Sequence, residues 1–159
     1  IRWICEDARK YVQREVRRGT RYDGIILDPP KYGRGPTGEV WRLFEDLPEL
    51  LKLRPQALLI EAANPRHEHE WKVWADAKLP SHKILAPGMI DTCSNYVEHP
   101  ELIAQRIERF AAIVGPERVI ASTDCGFGTF AGYGKIDPLV TTKKLKALRE
   151  GADIAGARL

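Results

Sequence analysis

The sequence has few cysteines and no long apolar run. Its 159 residues contain three cysteines, Cys5, Cys93 and Cys125, an odd number without close spacing. This pattern disfavours a disulfide framework and is more typical of reduced thiols in the cytoplasm. No apolar stretch approaches the roughly 18 residues that a membrane span needs, and no signal peptide is visible. We therefore expect a cytoplasmic protein that is not inserted in a membrane.

Internal repeats, low-complexity tracts and a strong charge of either sign are also absent. The formal net charge is +3, with 12 Lys and Arg against 9 Asp and Glu in residues 1–54, and 13 against 13 in residues 55–159. The excess lies mainly in four arginines, Arg14, Arg17, Arg18 and Arg21. Such a cluster could contact phosphates and bind RNA weakly. We favour the other interpretation, a solvated helix end in which arginine is stabilised by the helix dipole.

What is present is the pattern of an α/β protein. Short apolar segments alternate with amphipathic ones, as buried parallel strands alternate with helices. The predicted strands are Arg2–Cys5, Tyr22–Leu27, Ala57–Ile60, Lys83–Ala86 and Arg118–Ala121, and the predicted helices are Ala8–Arg18, Glu39–Leu53, Glu68–Ala77, Pro100–Val114 and Pro138–Arg158. Asp7 and Asp137 suit helix N-caps, and Gly19 and Gly115 suit helix ends. Residues 31–38 are predicted as a loop.

Five βα units predict one α/β domain over residues 1–159, with a parallel sheet flanked by helices. A closed barrel of eight such units needs about 200 residues or more. The chain therefore cannot close one alone. We expect an open three-layer sandwich, with a partial TIM barrel as the alternative.

Two predicted strands end in residues that suit a metal site. The apolar run at residues 119–121 passes into polar residues and then Cys125, and Ala57–Ile60 is followed by Glu61. Parallel strands deliver such residues to the carboxyl end of the sheet, where α/β enzymes keep their sites. A thiolate and a carboxylate there could be half of a zinc site. The alternatives are a small buried cysteine and a carboxylate that caps the next helix.

His67 and His69 also suggest a metal, but their spacing is unfavourable. Side chains two residues apart diverge by about 200° on a helix, so the pair cannot easily share an ion. One of them could instead contact the carboxylate of Glu61 and orient it, without binding the metal itself. We expect His99 to act as a cap or loop contact and His82 to be exposed.

Four stretches of the second half carry a family resemblance. They are Ile60–Glu70, Ala86–Asp91, Val97–Glu101 and Ser122–Gly126. With them, residues 58–159 resemble the C-terminal part of cobalamin-independent methionine synthases and their shorter relatives. The resemblance implies zinc-dependent transfer of a methyl or alkyl group to a thiol, with homocysteine as acceptor and a methyl-tetrahydrofolate as donor. It implies that Glu61 and Cys125 are zinc ligands and that Asp124 is catalytic. The family's other ligands, a His and usually a Cys, have no equivalent here.

Three stretches of the first half carry a second resemblance. They are Trp3–Ala8, Tyr22–Gly35 and Gly38–Trp41. With them, residues 1–53 resemble class I S-adenosylmethionine-dependent methyltransferases of the ribosomal-RNA type. The resemblance implies contacts to that cofactor from five residues, Asp7, Asp28, Pro29, Pro30 and Lys31. The family's glycine-rich loop has no equivalent, and Asp28 and the two prolines could also be no more than a rigid turn.

Together the two resemblances predict two methyltransferase-like segments, 1–54 and 55–159, that meet near Arg54 and Pro55. The predicted function is that of an incomplete zinc-dependent thiol methyl- or alkyltransferase. An S-adenosylmethionine-dependent RNA methyltransferase and an inactive α/β module are the alternatives.

Overall fold

A computed structural model of the chain describes residues 6–20, 24–26, 32–34, 38, 40–42, 57–77, 79–128 and 136–159. Numbered in chain order, the helices are α1 (Ala8–Arg18), α2 (Lys72–Ala77), α3 (Pro100–Val114) and α4 (Pro138–Gly156), and the strands are β1 (Gly24–Ile26), β2 (Tyr32–Arg34), β3 (Val40–Arg42), β4 (Ala57–Ile60), β5 (Ile84–Ile90) and β6 (Ser122–Thr123). Short 3-10 turns at Glu68–Trp71 and Pro116–Arg118 precede α2 and β6.

Strands β1, β4, β5 and β6 form a parallel sheet in that order. The centre of the register places Leu58 between Ile25 and Leu85. This arrangement confirms the predicted α/β class with a parallel sheet flanked by helices. The four strands lie in chain order, whereas a doubly wound sheet reverses its order at a switch point. The topology thus favours the partial-barrel alternative.

The core lies where β5 packs against α3. Every residue from Leu85 to Ile90 is buried. The facing stripe of α3 consists of residues with helical spacing, Ile103, Ile107, Phe110, Ala111 and Val114, and all are buried. Leu102, the apolar residue that precedes Ile103, lies outside this stripe and is 37% exposed. The stripe confirms the amphipathic pattern.

The helix ends follow the capping signals of the sequence. The side chain of Asp7 accepts a hydrogen bond from the backbone N–H of Lys10 at 3.0 Å. Asp137 caps α4 in the same way, with a distance of 2.7 Å to the N–H of Leu139. His99 caps α3 through Nδ1, which accepts from the N–H of Glu101 at 3.1 Å. Gly19 ends α1 with a positive φ of 69°, a conformation that glycine adopts at little cost.

The predicted helix Glu39–Leu53 is wrong at its start. Val40–Arg42 forms β3, which pairs antiparallel with β2 (Tyr32–Arg34). The loop predicted for residues 31–38 therefore also contains a strand. A β-branched valine and an aromatic residue favour an extended strand once a partner strand is available. Residues 43–56 lie outside the described residues, as does the predicted strand Arg2–Cys5.

The last predicted strand is displaced along the chain. Residues 116–118 form a 3-10 turn after Gly115, and β6 begins only at Ser122. Val119 makes an isolated bridge to Leu85. Ile120 donates its N–H to the carbonyl of Leu85 at 2.9 Å. Its side chain is 52% exposed, so the apolar run Val119–Ala121 is not the buried strand that its composition suggested. Strand β5, in contrast, runs four residues past its predicted end at Ala86, to Ile90.

None of the described helices is long and apolar enough to cross a bilayer. On α1, Arg14 forms a two-pronged ion pair with Glu6, with distances of 2.6 and 2.7 Å. Arg18 pairs with Glu15 at 3.1 Å. These acidic partners weaken the case for a phosphate-binding arginine cluster and favour the solvated helix end.

Candidate functional site

The candidate site lies at the carboxyl ends of three adjacent strands. Glu61 follows β4, Asp91 follows β5, and Asp124 follows β6. The loop after β4 reaches Asp124 directly, because the backbone N–H groups of Ala62 and Ala63 both donate to it. The sheet therefore brings together Glu61 and Asp124 at the edge where α/β proteins bind ligands. The predicted roles of Glu61 as a metal ligand and of Asp124 as a catalytic residue stay predictions.

Asp124 is the most constrained side chain of this site. Its Oδ1 accepts two hydrogen bonds of 2.8 Å, from Ala62 and Ala63. Its own N–H donates to the carbonyl of Ile90 at 3.1 Å. Its Oδ2 is buried and has no hydrogen-bond partner among the described residues. The pKa of Asp124 is raised to about 6, chiefly by burial and in smaller part by the nearby charge of Glu61, against the lowering effect of the backbone N–H donors.

We expect Asp124→Ala to lower the free energy of unfolding by about 1–3 kcal/mol, because it leaves two buried N–H groups without an acceptor. Asp124→Asn keeps an oxygen at the same position, and we expect it to cost less than half as much. Urea unfolding of both variants beside the wild type measures the difference. Equal losses in the two variants would show that the hydrogen bonds to Oδ1 contribute little.

Glu61 is half-buried, and His67 lies between it and a second carboxylate. The distance from His67 Nε2 to Glu61 Oε2 is 3.9 Å, and the distance from His67 Nδ1 to Glu70 Oε1 is 3.4 Å. His69, in contrast, is exposed. This geometry fits the interpretation in which one of the two histidines, His67, orients Glu61.

Cys125 is exposed one residue beyond Asp124, and Cys93 is exposed in the loop after β5. Neither forms a disulfide within the part of the chain that the structure describes. The described residues contain no group of three or more His, Cys, Asp or Glu that could hold a metal ion. A catalytic zinc takes three protein ligands. The donor types of Glu61 and Cys125 suit zinc, but the described residues alone do not fit it.

Two buried charged residues behind the site were not predicted from the sequence. Arg106 on α3 donates to the carbonyl of Met89 at 2.9 Å and to the carbonyl of Ala63 at 3.4 Å. Its Nε donates to Glu68 at 3.2 Å. A basic residue three positions after Ile103, inside an apolar helical stripe, was the signal that could have revealed it.

The second is Lys144 on α4, whose Nζ lies 2.8 Å from Glu98 Oε2. Both side chains have 0% exposure. The other oxygen of Glu98 accepts from the N–H of Asp91 at 2.8 Å. Asp91 Oδ1 in turn accepts from Asn64 Nδ2 at 3.3 Å and from the N–H of Cys93 at 3.1 Å. This network connects α4 to the carboxyl ends of β4 and β5.

Only one of the five residues expected to contact S-adenosylmethionine, Asp7, lies among the described residues. Asp28, Pro29, Pro30 and Lys31 lie outside the described residues. The carboxylate of Asp7 caps helix α1. Its proposed cofactor contact stays a prediction.

Comparisons with known proteins agree with the resemblance predicted for residues 58–159. No family model matches the chain. It is 30% identical over 115 residues to a 2-hydroxypropyl-CoM lyase of Xanthobacter autotrophicus, and the match covers 71% of this chain and 29% of that protein. Its fold is similar to that of a B12-independent methionine synthase from a Shewanella species, solved in complex with selenomethionine. The TM-score is 0.61 with 24% identity, and the match covers 74% of this chain and 32% of that one.

The chain thus spans about a third of the length of each of these two proteins. The structural similarity confirms the α/β fold. Both similarities agree with the predicted resemblance to cobalamin-independent methionine synthases and their relatives. Neither gives support to the resemblance of residues 1–53 to S-adenosylmethionine-dependent methyltransferases, which stays a prediction.

Proposed function

We propose that this chain carries part of an enzyme site that transfers an alkyl group to or from a thiol. The observation that carries the proposal is Asp124, which is held at the carboxyl edge of the sheet by two N–H groups and keeps one buried oxygen without a partner among the described residues. Glu61 lies beside it, and the exposed thiol of Cys125 follows it in the chain. Carboxylates and a thiol at such an edge suit the chemistry of a sulfur substrate.

In this proposal Asp124 is the catalytic residue, and its Oδ2 exchanges a proton with the reacting thiol. Loss of the S–H proton gives a thiolate, the nucleophilic form of sulfur. The thiolate then attacks the alkyl carbon, and the bond from that carbon to its leaving group breaks. Transfer away from sulfur runs the same steps in reverse. The names of the two relatives point to sulfur compounds, methionine and coenzyme M. For this chain we propose homocysteine as acceptor and a methyl-tetrahydrofolate as donor.

We further propose that Glu61 and Cys125 are two ligands of a zinc ion whose remaining ligands come from outside the described residues. The proposal is supported by their donor chemistry and by the position of His67 behind Glu61. It concerns residues 55–159. Because the two described cysteines, Cys93 and Cys125, are free thiols, we propose a cytoplasmic location. No observation on the described residues favours S-adenosylmethionine or RNA as a ligand of residues 1–54.

Zinc binding tests this proposal. We expect the full chain to bind zinc in a titration against a chromophoric chelator, and Cys125→Ser to weaken binding by about 100-fold or more, because the substitution removes a thiolate ligand. Glu61→Gln should weaken binding by a smaller factor. Cys93→Ser, which changes another exposed cysteine, is the matched control and should bind as the wild type does. Equal affinity of Cys125→Ser and the wild type would refute the assignment of this ligand.

A further inference from the structure

Arg106 occupies a position that the proposed chemistry does not use. It is 5% exposed, lies on α3 and contacts the same loop after β4 that contacts Asp124. Two of its guanidinium nitrogens donate to backbone carbonyls, those of Met89 and Ala63. A planar fork can bind two acceptors at once, which a lysine ammonium does less well. Arg106 therefore fixes the carboxyl ends of β4 and β5 relative to one another.

The same short segment of backbone also forms hydrogen bonds to Asp124. Ala63 accepts from Arg106 through its carbonyl and donates to Asp124 Oδ1 through its N–H. The neighbouring N–H of Ala62 donates to the same oxygen. The segment Ala62–Ala63 thus forms hydrogen bonds both to a buried guanidinium and to the proposed catalytic carboxylate.

We infer that Arg106 is a positioning residue, which orients the Ala62 and Ala63 N–H groups and through them the carboxylate of Asp124. The inference rests on the proposed function only in calling Asp124 catalytic. The ion pair of Arg106 with Glu68 is a secondary contact, because Glu68 is partly exposed while both backbone carbonyls are buried. The orienting effect therefore depends on the two carbonyl contacts and needs both arms of the fork.

Amide hydrogen exchange followed by NMR on the full chain tests this inference. In Arg106→Met we expect the Ala62 and Ala63 amides to exchange about tenfold faster than in the wild type, beyond any change at Ala147 in the core of α4, which corrects for global stability. Arg106→Lys should accelerate the same two amides about threefold or more, because a single ammonium lacks the planar fork that spans both carbonyls. If Arg106→Met does not fold, Arg106→Lys decides the question alone.

Two control variants distinguish the effect of the Arg106 contacts to the two carbonyls from the effect of losing a charge or the ion pair with Glu68. Arg109 is one turn away on the same helix, lies 3.9 Å from the same Glu68, and stacks over Trp71 at 5.3 Å. Arg109→Met should leave the two amides unchanged, and so should Glu68→Gln, which keeps the contacts of Arg106 to both carbonyls. Acceleration no greater than at Ala147, or full protection in Arg106→Lys, would overturn the inference. Failure of zinc to bind would count against the proposed function and leave this exchange result standing.

Discussion

Replacing Lys144 by methionine is expected to lower the free energy of unfolding by about 3–5 kcal/mol. The Nζ of Lys144 lies 2.8 Å from Glu98 Oε2, and neither side chain is exposed to solvent. The ammonium also lies over the ring of Tyr96, 4.8 Å from its centroid. Its removal leaves the carboxylate of Glu98 buried without its cation. The N–H of Asp91, which still donates to Glu98, compensates only part of that charge.

Chemical denaturation of three variants distinguishes the effect of losing the Lys144–Glu98 ion pair from the effect of any Lys-to-Met substitution on α4. Lys146 lies on the same helix, is exposed, and pairs with Glu150 at 3.8 Å. Lys146→Met should therefore change the free energy of unfolding by less than about 0.5 kcal/mol. The double variant Glu98→Gln, Lys144→Met removes both charges and keeps an acceptor for the N–H of Asp91. We expect it to be more stable than Lys144→Met alone. If Lys144→Met unfolds at the same urea concentration as the wild type, the pair does not stabilise the fold.

The sequence predicts helices well where their ends carry local signals. Helices α1 and α3 have the predicted bounds, because Asp7 and His99 cap their first turns and Gly19 and Gly115 end them. Capping depends on residues a few positions apart, so it can be read from the chain. Strand β3 was missed for the opposite reason. Its extended conformation depends on pairing with β2, which a helical apolar pattern does not reveal.

The residues of the site also divide into those with local sequence signals and those whose contacts join distant parts of the chain. Glu61 could be placed at the sheet edge because it follows the short apolar segment Ala57–Ile60, which forms β4. Asp124 was placed less accurately, because the strand before it begins only at Ser122, after the apolar run at residues 119–121. Lys144 and Glu98 could not be paired from sequence, since they are 46 positions apart and each looks like an ordinary surface residue of a helix or loop. Buried ion pairs of this kind are specified by the packing of whole elements, here of α4 against the loop after β5.

Gly88 is required by the close approach of β5 to the start of the loop that holds Asp124. It pairs with Ser122 in the parallel register, next to the irregularity between Gly88 and Ile90. A methyl group added at Gly88 would lie 2.6 Å from the Cα and 2.7 Å from the N of Asp124, and still closer to its Oδ1. Real Cβ atoms essentially never make contacts that short, so backbone must move to admit the methyl group.

We therefore expect Gly88→Ala to destabilise the fold by about 3 kcal/mol or more, the upper range for overpacking in a buried strand. Replacing glycine by alanine also lowers the entropy of the unfolded chain, which stabilises the fold by about 0.4–1 kcal/mol. A net loss of stability is therefore caused by the steric clash. Gly128→Ala is the control, because a methyl group there meets no atom of the described residues within 4 Å. Urea unfolding measures both variants.

Combining Gly88→Ala with Asp124→Ala identifies which atoms cause the clash. The added methyl group meets the backbone of Asp124 as well as its carboxylate, so removal of the carboxylate should not restore stability. If the double variant regains the stability of Asp124→Ala alone, the side chain is the only obstacle, and β5 and β6 have room to separate. Persistent loss in the double variant would show that the methyl group clashes with the backbone of Asp124, so that the close approach of this backbone to β5 requires glycine at position 88.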